Sequence, residues 1–240
     1  VRANGIPENA ANSLGYVRAL FRIVLDVSEA LGVDEELRDR WRDLIARTSP
    51  YPSGPVRDIG SFWRGSGEVG IADLLPPEEM DTVVFYNEEV GGRWSLSFPG
   101  NVMQIYPAGE IGLDADPALL AVARNTVRLR ALQERRLEQW RGKLGDRAAD
   151  HFVSRKTGAW NDGNISSMFF PAAVRVGHDP EEIWRELRDR IVERGLANGF
   201  IRHNPHGIEN LSTVPNTVQE MMLLSHENVI RLFRVGPRAS

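Results

Sequence analysis

Leu14, Val17, Phe21, Val24, Leu25 and Leu31, with Ser28 as one small polar member, recur at the i, i+3, i+4, i+7 spacing that gathers side chains on one helical face. A long amphipathic helix is predicted there. Gly32 suits the left-handed exit of that helix, and Asp34 is placed to cap a second one with Leu37, Trp41, Leu44 and Ile45 on its inner face. So short a link requires the two helices to pack antiparallel. From Pro50 to Gly70 prolines and glycines interrupt every periodicity, which predicts a long ordered loop or lid. Short extended pieces are predicted at Thr82 to Tyr86 and Trp94 to Ser97, where β-branched and aromatic residues gather. Helical spacing resumes at Pro117, behind Asp116 as cap, with a further segment from Leu132 to Leu144. It returns at Ile165 to Val176, at Pro180 to Leu196 with the face Ile183, Leu187 and Ile191, and at Pro215 to His226.

About seven helices in hairpin-like pairs, with long loops at alternate ends, predict a mainly α protein. The arrangement suits a partial (α/α)6 toroid whose hairpins form a wall and whose loops form a pocket, with short β pieces in the loops and at the C-terminus. Residues 1–228 are read as toroid and 229–240 as the start of a β segment, since an apolar run, Val229 to Val235, follows the last helix. No fixed-period repeat of the tetratricopeptide or ankyrin kind is present.

Composition narrows the chemistry. The 240 residues carry 29 basic and 33 acidic side chains, a net charge of −4, so the electrostatic footprint of a nucleic-acid binder is missing. No apolar run approaches the ~18 residues of a membrane helix, and Val1 to Asn12 lacks the charged start and apolar centre of a signal peptide. Neither a nucleic acid nor a membrane is an expected partner. Cysteine is absent, which excludes disulfides, thiolate zinc sites and cysteine nucleophiles. Hydrolase elbows, phosphate-cradling glycine loops and dinucleotide fingerprints are absent too.

What stands out is polar and aromatic chemistry concentrated in irregular segments. Pro7, Glu8 and Asn9 precede the first helix. Trp160, Asn161, Asp162, Gly163 and Asn164 make up a second cluster. The densest is His203, Asn204, Pro205, His206, Gly207, Ile208, Glu209 and Asn210. Glu8 with Asn9, and Asp162 with Asn164, also fit simple helix-start capping. His203, His206 and Glu209 contain metal-ligating types but lack helical spacing, so no metal is expected, and no cofactor. Carboxylates, amides and tryptophans in loops are the equipment for holding sugars, since acids and amides pair with hydroxyls and flat rings cover the apolar sugar face. Glycoside hydrolysis needs one carboxylic acid at the leaving oxygen and a base or nucleophile opposite.

The run Gly207-Ile-Glu-Asn-Leu-Ser-Thr-Val-Pro-Asn-Thr-Val-Gln-Glu-Met-Met-Leu-Leu-Ser-His226 resembles the late catalytic-domain segment of glycoside hydrolase family 95, the α-L-fucosidases and their α-L-galactosidase relatives. Ala30-Leu-Gly-Val-Asp-Glu-Glu-Leu37 with Leu44-Ile-Ala-Arg-Thr-Ser-Pro-Tyr51 is similar to the hairpin after that family's acid loop. Gln104-Ile-Tyr-Pro107 through Pro117-Ala-Leu-Leu-Ala-Val-Ala-Arg-Asn-Thr126 is similar to the lead into the next hairpin. The resemblance implies the second part of an (α/α)6 toroid, an inverting mechanism and a terminal α-linked L-fucose or related sugar on an oligosaccharide or glycan. It favours a secreted or periplasmic setting.

It also implies roles. Ile6-Pro-Glu8 partly matches the family's Ser-Pro-Glu acid motif, which makes Glu8 the general acid. Glu209 stands where the family has an aspartate that activates a catalytic asparagine. Trp160, Asn164, His203, His206 and Asn210 are the expected sugar contacts. Glu209, His206, Trp160 and Asn164 should then converge at one end of the helical wall with Glu8 facing them, the carboxylates spaced roughly 6.5–9.5 Å apart or somewhat more. The family's base asparagines precede the acid loop, so the remainder of a parent chain is an expected partner and the 240 residues alone are expected to be inactive. The competing reading is a non-catalytic helical toroid that binds glycans or a protein.

Overall fold

The computed structural model describes residues 9–60, 75–89, 92–94, 99–136, 139, 159–160, 166–202, 207–227 and 229–233. Among the described residues the chain is mainly helical, with six α-helices and two small sheets. Of the predicted elements, 61–70 of the long loop, 95–97 of the second extended piece, 137–138 and 140–144 of the helical segment after Leu132, 165 at the start of the helix predicted to follow, and 234–235 of the last apolar run lie outside the described residues.

Helix α1 spans Ala11–Leu31 and ends as its sequence predicts, with Gly32 at φ 67° and its N–H donating to the Ser28 carbonyl. Asp34 departs from expectation. It takes a left-handed conformation (φ 53°) and makes no side-chain cap ahead of the short 3-10 turn Glu35–Leu37. Helix α2, Arg38–Arg47, follows and packs back on α1. Their junction is clamped by Arg38, whose Nε donates to Ser28 Oγ at 2.9 Å and whose Nη2 donates to the Ser28 carbonyl at 2.8 Å.

The inner face of α1 is turned from the predicted one. Ala11, Gly15, Leu25 and Ser28 are buried and Leu14, Phe21 and Val24 half-buried, whereas Val17 and Leu31 are exposed. The helix carries apolar residues around most of its circumference, so periodicity alone does not choose the side that meets the core.

The stretch after Tyr51, predicted as loop, contains a strand. β1 (Ser53–Pro55) pairs antiparallel with β2 (Val83–Phe85), with Gly54 opposite Val84. Gly54 is required there, because a Cβ would run into the Tyr86 hydroxyl, which donates to the Pro55 carbonyl at 2.8 Å. Helix α3, Pro117–Arg136, lies against β2 and starts as predicted, Asp116 Oδ1 accepting from the N–H groups of Ala118 and Leu119 at 2.9 and 3.1 Å. Leu132 opens no separate helix, since it falls within the last turns of α3.

Helices α4 (Ser166–Arg175) and α5 (Pro180–Asp189) form the next hairpin, and α5 continues as a π-helical turn, Arg190–Arg194. Helix α6 is Glu209–Met222 and makes its most extensive contacts with α4. Proline does not start it: Pro215 sits inside, and the helix begins at Glu209 instead. It stops before His226, which lies beyond the two-residue strand β3 (Leu223–Leu224) rather than in the helix. β3 pairs antiparallel with β4 (Arg231–Leu232). The main core lies between α3, α4, α5 and β2 and is built on Phe85, Val127, Phe169, Phe170, Ile183 and Leu187.

Candidate functional site

Helix direction decides where the polar loops emerge. Near the end of α3, Glu134 accepts from the Trp160 N–H at 2.7 Å, just ahead of α4. Arg190, at the close of α5, donates through Nη1 to the Trp160 carbonyl at 3.2 Å and through Nη2 to Asn210 Oδ1, in the first turn of α6, at 3.3 Å. The starts of α4 and α6 therefore share one end of the bundle with the finish of α3. Helix α1 begins at that end as well. Its Ala11 N–H donates to the Asn87 carbonyl, Asn87 N–H donates to the Arg93 carbonyl, and the neighbouring Trp94 indole donates to Gln133 on α3 at 2.6 Å.

Arg190 is 1% exposed and, from within the core, ties the backbone at Trp160 to the first turn of α6. The predicted face of α5 named Ile183, Leu187 and Ile191, but Ile191 is exposed and Arg190 takes the inner position. The signal is present in the spacing: 183, 187 and 190 are i, i+4 and i+7, so an arginine sits on the apolar stripe.

Charge beside this node is paired. Glu182 on α5 meets Arg135 of α3 and lies 3.1 Å from His178 Nε2. Burial opposes its ionisation, yet the close pairing with His178 and Arg135 outweighs that and holds the carboxyl at about 2. A depressed folded-state value stabilises the fold above the ordinary carboxylate range, and that contribution is lost as pH falls through the folded value. Acid titration between about pH 4.5 and 2 is expected to remove on the order of 2–3 kcal/mol through this group. Glu182→Gln should flatten the stability-against-pH curve measured by thermal melts in that window.

Beside the start of α1 the surface forms a cleft of about 380 Å³, lined by Asn9, Ser49, Tyr51, Ser53, Tyr86, Glu89 and Arg93 with Pro50 and Pro52. Asn9 Nδ2 donates to Glu89, and Arg93 caps the Tyr86 ring with its guanidinium 5.1 Å from the centroid. Tyr51 lies edge-on to Phe85 with Arg18 4.8 Å above its ring. Behind it Glu110 is nearly buried, 2.6 Å from Arg22, and accepts from the Tyr51 hydroxyl at 3.5 Å. Burial pushes both the Tyr51 phenol and the Glu110 carboxyl up, Arg22 and Arg18 acting against it. The cleft thus presents hydroxyl, amide, carboxylate and guanidinium groups over a tyrosine floor that stays protonated, a surface suited to a polyhydroxylated ligand.

The predicted residues fare unequally. Glu8, Asn164, His203 and His206 lie outside the described residues. Trp160 requires a correction. It is 1% exposed, with Phe169 and Phe170 each 4.6 Å away edge-on and His178 at 5.9 Å, so its ring anchors the core and offers no free face to a sugar. Asn210 is buried, and its amide oxygen is bound by Arg190 rather than open to a ligand. Glu209 is exposed at the first position of α6, where its carbonyl accepts from Ser212 Oγ at 2.7 Å. Sequence reasoning misses the cleft residues Tyr51, Tyr86, Glu89 and Arg93, which come together only through the pairing of β1 with β2.

No protein-family model matches the chain, and no curated protein matches it.

Proposed function

We propose that the chain belongs to an inverting glycoside hydrolase acting on terminal α-linked L-fucose or a related sugar, its helices forming part of an (α/α)6 toroid. One observation carries the reading: the helix starts that follow the three polar loops gather at one end of the bundle, and the polar cleft opens directly beside Asn9, the neighbour of the candidate acid. Glu8 would protonate the leaving glycosidic oxygen. Glu209 would orient the base, and water would enter on the opposite face of the ring, giving the β-sugar as first product. The resemblance of 207–226 to family 95 supports the choice of sugar.

The second reading, glycan binding without turnover, draws on the exposure of Glu209 and the burial of Trp160 and Asn210. Proton NMR of an aryl α-L-fucoside incubated with the protein that carries this chain, including any residues preceding Val1, separates the two. Release of the β-anomer ahead of mutarotation supports hydrolysis; line broadening of the sugar without release supports the binding module; neither effect overturns both.

A further inference from the structure

The segment that leaves α6 is fastened back onto the turn ahead of α3. β3 ends at the buried Leu224, and beyond it His226 and Glu227 lie against Gly112–Asp114. Glu227 takes a left-handed backbone conformation (φ 60°), and its carboxylate accepts from the Asp114 N–H, Oε1 at 3.0 Å and Oε2 at 3.2 Å. Arg231 of β4 closes the clasp, bonded to the Asp114 carboxylate and 3.4 Å from Glu227 Oε2. The Phe233 N–H, donating to the Met222 carbonyl at 2.8 Å, holds the far end against β3.

His226 fills a space that only glycine leaves. A Cβ on Gly112 would collide with its Nε2 and with the Glu227 carboxyl. Gly112 does not have a left-handed backbone, so the close approach alone calls for glycine. The imidazole is 9% exposed, and neither ring nitrogen has a hydrogen-bond partner among the described residues.

The charged groups facing it are already engaged. Arg175, the last residue of α4, bonds both carboxylate oxygens of Glu220 on α6, at 2.9 and 2.7 Å, and lies over the Tyr106 ring. Asp114, Glu227 and Arg231 hold one another, and Glu227 Oε2 stands 3.5 Å from Nε2 without bonding it.

We infer that residues 225–227 and 229–233 form an acid-released strap, fastened on Gly112–Asp114 while His226 is neutral and loosened when the imidazole takes up a proton. A second N–H on the buried ring finds no acceptor in place, and Glu227 can reach Nε2 only by giving up the Asp114 N–H. Burial and then Arg175, with a smaller push from Arg231, hold the imidazole below its ordinary value of 6.5, and Glu227 and Glu220 only partly oppose them. A depressed folded-state value stabilises the fastened form above 6.5, and that contribution is lost as pH falls toward the folded value. The strap sits where α4 and α6 finish, at the end of the bundle away from the cleft, so it stands independently of the proposed function.

Hydrogen exchange followed by mass spectrometry on the protein that carries this chain tests the strap, with rates expressed as protection factors to remove the intrinsic effect of pH. Between about pH 7.5 and about pH 5.5, a window above the ordinary carboxylate range, residues 111–116 and 229–233 should lose protection about 5- to 10-fold, tenfold being the limit for one proton at about one pH unit below 6.5. Residues 120–131 of α3 should hold theirs. His226→Leu forfeits no hydrogen bond and should stay protected at both pH values, whereas Gly112→Ala should expose the strap at both. The His226 ring resonance should titrate below 6.5, together with the loss of protection. Unchanged protection in the wild type, an equal acid loss in His226→Leu, a protected Gly112→Ala strap, or a ring midpoint at or above 6.5 overturns the proposal. If His226→Leu is unprotected already at about pH 7.5, the wild-type ring titration decides: a midpoint below 6.5 that coincides with the loss of protection supports the strap, and one that does not coincide overturns it.

Discussion

Arg190→Ala is expected to destabilise the fold by about 3–5 kcal/mol, the range for removing one partner from a buried charged network. The guanidinium lies in the core and bonds the Trp160 carbonyl and the Asn210 amide oxygen. Its loss removes that donor from both oxygens and opens a cavity the size of a long side chain, near the backbone of Trp160. For a chain of this length each kcal/mol moves the melting temperature by roughly 2–4 °C, so a fall on the order of 10 °C is predicted in a thermal melt. Arg190→Lys should recover less than half of it, because one ammonium cannot reach two acceptors along the fork that the guanidinium supplies. A local consequence distinguishes this node from ordinary core packing: amide exchange in the first turns of α4 and α6 should rise in Arg190→Ala more than exchange in α1, because Arg190 bridges Trp160 and the start of α6. A loss under about 1 kcal/mol, or a uniform rise in exchange, would show that the helix starts are held by other contacts.

How far the sequence can be read varies with the range of the interactions involved. Helix ends governed by local chemistry are legible: Gly32 closes α1 and Asp116 caps α3 because each acts on backbone groups close by in the chain. Strand β2 is legible for a similar reason, Thr82 to Tyr86 being β-branched and aromatic. β1 is not, since Ser53-Gly54-Pro55 has no strand propensity and exists because Val83 to Phe85 offer it a partner. The choice of buried face on α1 is illegible for another reason: two apolar stripes compete, and only the close approach of Gly15 to Gln104 and Ala108 decides which turns inward. Pro215 looks like a helix start, yet the turn from Gly207 to Asn210 already supplies one, the Asn210 N–H donating to the Gly207 carbonyl. In the site, residue types single out Trp160 and Asn210, which do lie near one another, but assign them to a ligand. Both are consumed instead by Arg190 and the aromatic core, through contacts that span 30 and 20 residues of chain and leave no local signature at either position.

The largest effect on chemistry is expected at Glu8, and the sharpest distinction at Glu209. If Glu8 delivers the proton to the leaving oxygen, Glu8→Gln in the protein that carries this chain should lower kcat on alkyl or natural glycosides by about 100- to 10,000-fold, with KM little changed. Substrates with acidic phenol leaving groups need less protonation and should lose far less, a pattern that misfolding cannot produce. Glu209 has two candidate contributions of different size. As an exposed carboxylate at the first position of α6 it interacts favourably with the helix N-terminus, worth about 0.3–1 kcal/mol and therefore a few degrees of melting temperature at most. As the group that orients a base it governs geometry at the reacting centre, where a displacement of an ångström costs ~100-fold in rate. Glu209→Gln separates the two because it keeps the side-chain length and removes the charge. A fall in kcat near ~100-fold with KM and melting temperature nearly unchanged supports the positioning role, and Glu209→Asp should then retain activity. A lower melting temperature with kcat intact would reduce Glu209 to a helix-start charge and move the reading toward a glycan-binding toroid that turns nothing over.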